Sequence, residues 1–264
     1  MPDIHIGSTR IHYRRSGRGR PAVFVHAFLM DSRYWLNQLA GLAEVRDCIA
    51  PDLAGFGYSD PVVTDRIDPE QYATQLIAFL DAMGISQQAD LVGFSGGAIV
   101  CALVAAQAPE RIASVTLMSS AFTSGPDEPY RRYQQEMARL VVIEGKDALF
   151  RRFNEYIFGT SPSLMARARY KTMLEHTSHE MFVALLTGET LAPRPDLPGR
   201  IRCPVLLPYG ERDVVMSSAK VDELVRLFPN ATARSVPEAG RLLTLENPDA
   251  VNAIQRDFWD GLGA

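Results

Sequence analysis

Short apolar runs alternate along the chain with longer stretches whose apolar residues recur every three or four positions. Ile11 to Arg15 reads as an early strand. Ala22 to Val25, Asp47 to Ala50, Ala89 to Val92 and Ala113 to Met118 read as buried ones. Between them, Trp35, Leu36, Leu39 and Leu42 form a helical stripe, as do Tyr72, Leu76, Phe79, Leu80 and Met83. Asp68 is placed to cap the second of these helices, with Pro69 in its first turn and Gly84 at its exit. Ala98 to Ala108 is apolar almost all round, which predicts a central, buried helix. Towards the C-terminus the pattern predicts a strand at Val205 to Leu207, a helix from Ser217 to Phe228, a strand near Thr232 to Val236, and a last helix opening at Asn247 and Pro248. Strands alternating with helices predict an α/β fold with a mostly parallel sheet and helices on both faces.

One stretch breaks the rhythm. From Phe122 to Gly199 the patterns are helical with no intervening strand, opened by Gly125 and Pro126 and closed by a proline-rich turn. This predicts a helical cap over residues 122–199 inserted into a core made of residues 1–121 and 200–264. It would lie over the carboxyl edge of the sheet, where ligands of open α/β sheets bind.

Composition narrows the class. The chain has 264 residues, 47% of them apolar, and a net charge of −4, so it can bury a sizeable core and lacks the basic excess of a nucleic-acid binder. The run Arg14, Arg15, Arg18 and Arg20 reads as a solvated turn. Cys48, Cys101 and Cys203 cannot all pair with one another and lie in apolar stretches, which points to a reducing, cytoplasmic setting. No signal peptide and no apolar run of spanning length is seen, so no membrane role is expected. His5 and His12 are expected at the surface. The spacing of His176 and His179 has no supporting cysteine or carboxylate pattern, so neither a metal nor a cofactor is expected.

The chemistry is concentrated in a few residues. Gly93-Phe94-Ser95-Gly96-Gly97 follows a predicted strand and opens the buried helix. In that setting a G-x-S-x-G serine sits on a strained turn with its hydroxyl exposed, and the flanking glycines let the backbone turn tightly. Ser95 is therefore the candidate nucleophile. The motif in this context, together with Val25-His26-Ala27-Phe28 and the loop from Asp52 to Asp60 (Asp-x-x-Gly-x-Gly-x-Ser-Asp), resembles the α/β-hydrolase superfamily, close to bacterial arylesterases, enol-lactonases and cofactor-free haloperoxidase-type serine hydrolases. The resemblance implies that the N–H groups of Phe28 and Gly96 form an oxyanion hole. Ala27 departs from the family's usual glycine. The resemblance also implies that Asp213, in Tyr209-Gly210-Glu211-Arg212-Asp213, is the acid that orients the catalytic base. A simple cap on the following helix is the alternative role for Asp213. The end of the strand at Met118 offers only Ser119 and Ser120 as another acid position.

The last motif of the family departs in one place. Gly240-Arg241 stands where the family has Gly-His, followed as expected by an apolar stretch and Glu246-Asn247-Pro248. Arginine stays protonated and cannot accept the serine proton. Pairing with Asp213 is the expected role for Arg241, leaving Ser95 without a base. Neither His26, expected to brace the oxyanion loop, nor His176 or His179 on the cap is a strong substitute. His26, Phe94, Tyr130, Tyr133, Phe153 and His176 are the candidate substrate contacts, with further cap residues (Met137, Phe158, Met173 and Met181 among them) divided between the cap's own core and the pocket. The implied parent activity is hydrolysis of an apolar or aromatic carboxylic ester or lactone through an acyl-enzyme on Ser95. A base knock-out, a non-catalytic small-ligand-binding protein, and a lyase or isomerase using Ser95 with Arg241 all remain open for this chain.

Overall fold

The computed structural model describes residues 2–62, 64, 66–120, 128–145, 148, 151, 158–187 and 192–263, without the side chains of 129, 130, 133, 134, 186 and 187. Eight strands form one sheet: β1 (Asp3–Ile6), β2 (Thr9–Gly17), β3 (Pro21–Val25), β4 (Asp47–Pro51), β5 (Ala89–Phe94), β6 (Ile112–Met118), β7 (Val205–Gly210) and β8 (Ala231–Val236). Their order is β1-β2-β4-β3-β5-β6-β7-β8. Only the β1/β2 and β2/β4 pairs are antiparallel; every pair from β4 through β8 is parallel. Each residue of β3, β4 and β5 is buried, as strands covered on both faces must be.

The helices among the described residues include α1 (Leu36–Gly41), α2 (Pro69–Ala82), α3 (Gly96–Gln107), α4 (Glu128–Glu144), α5 (Leu164–His176), α6 (His179–Thr187), α7 (Ser218–Leu227), α8 (Leu243–Glu246) and α9 (Pro248–Gly261). α2 packs on α3, and α1 packs against α8 and α9. The end signals read in the sequence act as expected. Asp68 accepts from Glu70 N–H, Gly84 leaves α2 at φ +68°, and the Asn247 side chain accepts from Ala250 N–H. Between β6 and β7 the described residues form helices and no strand, and Met137, Phe158, Met173 and Met181 are buried in one core with the sheet's residues.

Two expectations about single residues are corrected. His12 is not at the surface: its place on β2 buries it beneath Tyr58, with Nδ1 2.8 Å from Asp3 Oδ1. Arg14 and Arg15 belong to β2 rather than to a turn. The Arg14 side chain donates to Ser32 Oγ and that of Arg15 forms a two-point pair with Asp47.

Candidate functional site

The loops at the carboxyl ends of β3, β5, β6, β7 and β8 carry Phe28, Ser95, Ser119, Asp213 and Arg241 respectively. Ser95 joins β5 to α3 at φ 52°, ψ −115°, a conformation that costs a non-glycine residue about 1–3 kcal/mol and persists only when its surroundings enforce it. The surrounding glycines show how. A Cβ on Gly93 would lie 2.5 Å from the Gly97 carbonyl oxygen, and one on Gly97 would lie 2.3 Å from that of Val25. The turn is also tied to β6, because Ser95 N–H donates to Met118 O at 2.9 Å. Ser95 itself is only partly buried, while its neighbours from Leu91 to Val100 are buried.

Three further non-glycine residues with left-handed backbone lie at this edge: Leu29 at φ 72°, Ser119 at φ 48° and Glu238 at φ 53°. Leu29 sits in a turn closed by Met30 N–H donating to Ala27 O at 3.1 Å. Phe28, in the same turn, lies against Gly96, where a Cβ would come within 2.3 Å of the Phe28 ring. Neither the Phe28 nor the Gly96 N–H has a hydrogen-bond acceptor among the described residues.

Arg241 is 7% exposed and donates from Nη2 to Ser95 Oγ at 3.1 Å. Its guanidinium carbon lies 5.8 Å from the centre of the Phe94 ring, which stacks on Tyr34 at 4.7 Å. This corrects the expected Arg241–Asp213 pair. Among the described residues Asp213 forms no ion pair; its Oδ1 accepts from the N–H groups of Val215 and Met216, and its Oδ2 accepts from Ser119 Oγ at 2.9 Å. The carboxylate is satisfied without the arginine, and the arginine is long enough to reach the serine. Ser119, which carries no acid, proves to be the residue that holds the acid's outer oxygen. No sequence signal marked that role, because residues 119 and 213 meet only when β6 and β7 pair.

His26 is wholly buried and both ring nitrogens are engaged. Leu53 N–H donates to Nε2 at 2.9 Å, so Nδ1 carries the hydrogen and donates to Ala27 O at 2.8 Å. No nitrogen is left for a substrate, which corrects its place among the substrate contacts. Burial holds its pKa below the ordinary value of 6.5, outweighing the Asp52 carboxylate. In the unfolded chain the histidine protonates near 6.5; in the folded protein it resists until lower pH. Its contribution to stability is therefore complete above pH 6.5 and is lost as pH falls below it. Denaturant melts from pH 8 to 5 are expected to show this loss, and His26→Asn to flatten it.

The loop from Asp52 to Asp60 braces the edge. Asp52 accepts from Ser32 N–H at 2.6 Å and Tyr58 N–H at 2.8 Å, and Ser59 Oγ donates back to Asp52 O at 2.6 Å. His176 is exposed, hydrogen-bonded to Thr172 O and edge-on to Tyr58, so its described contacts are with this loop and its own helix. The side chains of Tyr130 and Tyr133, and the whole of Phe153, lie outside the described residues. Among the described residues no cluster of three or more His, Cys, Asp or Glu is placed to hold a metal, and no helix is long and apolar enough to cross a membrane.

Glu246 fastens the Arg241 loop. Its Oε1 accepts from Leu242 N–H, and its Oε2 accepts from both Thr160 N–H and Thr160 Oγ1, the latter at 2.7 Å. Gly159 and Gly240 pack backbone to backbone beside it, with room for no Cβ. Burial raises the Glu246 pKa despite these donors. Glu246→Ala would leave half-buried N–H groups without their acceptor, and is expected to cost about 1–3 kcal/mol in a denaturant titration.

A mostly parallel sheet with a strained serine between strand and helix is the architecture of the α/β-hydrolase class. The family model described as the alpha/beta hydrolase fold matches residues 21–248, and the chain belongs to that family. It is 30% identical over 199 residues to the 2-hydroxymuconate semialdehyde hydrolase of Pseudomonas sp. (strain CF600), covering 69% of this chain and 64% of that protein. It is 29% identical over 243 residues to the dihydrolipoyllysine-residue acetyltransferase component of the acetoin cleaving system of Pseudomonas putida, covering 89% of this chain and 62% of that protein. The chain thus spans a little under two thirds of the length of these two curated relatives. The crystal structure of the enol-lactonase from Burkholderia xenovorans LB400 shares the fold, with a TM-score of 0.84 at 22% identity over 98% of this chain and 100% of that one.

Proposed function

We propose that this chain carries the acyl-transfer site of a carboxylic ester or lactone hydrolase, with Ser95 as nucleophile and Arg241 in the place of the base. The hydrogen bond from Arg241 Nη2 to Ser95 Oγ, at 3.1 Å, carries this reading. It puts residue 241 at hydrogen-bonding distance from the serine, where a base would stand, but with the proton traffic reversed. The guanidinium donates to the serine oxygen and has no lone pair with which to take its proton. In the parent reaction Ser95 Oγ attacks the acyl carbon, the N–H groups of Phe28 and Gly96 donate to the oxyanion, and Asp213 steadies the protonated base. In this chain the positioning and the oxyanion donors remain and the proton acceptor is gone, so hydrolysis is slow. The aromatic rings of Phe28 and Phe94 beside Ser95 support an apolar or aromatic acyl group. The unpaired Cys48, Cys101 and Cys203 support a reducing, cytoplasmic setting.

The same hydrogen bond favours a second reading, a protein that binds a small ligand at Ser95 without cleaving it. Turnover of short aryl esters and lactones by the chain and by Arg241→His separates the two. A gain with histidine that disappears on adding Ser95→Ala supports the hydrolase site. Inert proteins that still bind ligand support the second reading.

A further inference from the structure

The loop after β8, which carries Arg241, is held at several points. Arg212 N–H donates to Ala239 O at 2.9 Å, and Asn247 Nδ2 donates to Pro237 O at 2.9 Å. The Glu246 carboxylate differs from these in joining two distant parts of the chain. Its Oε1 accepts from the N–H of Leu242, the residue next to Arg241, at 3.1 Å. Its Oε2 accepts from Thr160 N–H at 3.1 Å and from Thr160 Oγ1 at 2.7 Å. Thr160 lies between β6 and β7, in the stretch read from sequence as the cap. Gly159 and Gly240 meet backbone to backbone at the same place, with no room for a Cβ on either. Other ties from that stretch end on other elements. Arg169 Nη1 reaches Asn37 Oδ1 on α1, Arg33 Nη2 donates to Thr172 O, and Arg194 forms a two-point pair with Glu70 on α2.

We propose that Thr160 is a positioning residue: through Glu246 it fixes the backbone beside residue 241, so that the cap and the group facing Ser95 settle together. This rests on the reading of residue 241 as standing in the place of the base. Two donors from Thr160 hold Oε2, and with it the plane of the carboxylate, which leaves Oε1 aimed at Leu242 N–H. Hydrogen bonds to an ionised acceptor are the stronger kind, so the arrangement is stiff. Leu242 N–H belongs to the peptide that joins residues 241 and 242, so its anchoring sets the origin from which the side chain of residue 241 reaches Ser95 Oγ. Without Thr160 the carboxylate turns more freely and that origin is less well fixed. A displacement of about 1 Å at a reacting group costs on the order of 10²-fold in rate. A substrate that seats the cap therefore also seats residue 241.

Amide hydrogen exchange of Leu242, followed by NMR, tests this in the full chain. Thr160→Val, which loses the Oγ1 donor, is expected to speed that exchange about tenfold or more, the value of a hydrogen bond to a charged group. Thr160→Ser, which restores the donor, is expected to stay within about twofold of the parent. Glu70→Gln weakens the tie of the same stretch to α2 and is expected to leave Leu242 unchanged. Thermal melts establish that the variants are folded. If Thr160→Val does not fold, Glu246→Gln, with one acceptor oxygen left for both sides, takes its place with the same expectation. Added to Arg241→His, Thr160→Val is expected to lower kcat about tenfold with KM unchanged, and serine to restore it. Leu242 exchange unmoved in the folded variant, exchange not restored by serine, equal acceleration in Glu70→Gln, or an unchanged kcat in an active Arg241→His background overturns the proposal. An inert Arg241→His refutes the hydrolase reading alone, and the exchange of Leu242 still decides the role of Thr160.

Discussion

Arg241→His is expected to raise ester or lactone turnover by about 10²–10⁴-fold in kcat, the usual contribution of a positioned general base. The measurement is initial-rate hydrolysis of short aryl esters and lactones by both proteins, with Ser95→Ala in the histidine background as control. The serine needs least change, because its backbone is held at φ 52° by close packing between β3 and α3. Removing the guanidinium frees Ser95 Oγ from a donor that withdraws electron density from it. The new imidazole then needs an orienting acceptor. Asp213 Oδ1 stays with Val215 and Met216, so Oδ2 is the oxygen that must turn from Ser119 to the ring. Ser119→Ala added to Arg241→His removes that competitor and is expected to preserve or increase the gain. A histidine variant as inert as the parent chain would refute Ser95 as a latent nucleophile.

Gly97→Ala is expected to produce a large loss of stability. The added Cβ would lie 2.3 Å from the Val25 carbonyl oxygen and 2.4 Å from that of His26. Both are backbone atoms at the end of a strand hydrogen-bonded on each side, so the clash cannot be relieved by a rotamer change. Relief requires α3 to move off the sheet, at a cost of about 3 kcal/mol or more. For a chain of this size that corresponds to a fall in Tm of roughly 6–12 °C. Gly199→Ala, where a Cβ meets nothing within 4 Å, serves as the matched control and is expected to melt with the parent. Coincident melts of Gly97→Ala and the control would show that the helix does not sit this close to β3.

Much of the fold was legible in the chain because the elements announce themselves locally. The alternation of apolar runs and helical stripes, the capping Asp68 and Asn247, and the exit at Gly84 depend on neighbours a few positions away. Ser95 was legible for the same reason: the strand, the turn glycines and the buried helix lie within twenty residues of one another. The N-terminal strand β1 was less clear, since an exposed edge strand of four residues has almost no apolar pattern to show. His12 was misplaced because its burial comes from Asp3 and from Tyr58, a residue distant in sequence.

The sequence by itself determined that this is an α/β chain with a serine at a tight strand-to-helix turn, and that an arginine follows Gly240. Both follow from residue identity and short-range spacing. Only the tertiary structure decided where the arginine's charge goes. Whether it pairs with Asp213 or reaches Ser95 depends on what else satisfies that carboxylate, and Ser119 and two backbone amides do so. Those partners come from β6, β7 and the turn after it, brought together by strand pairing. The distribution of hydrogen bonds among groups so far apart in the chain is a property of the packed sheet edge, because strand pairing decides which donors come within reach of the Asp213 carboxylate.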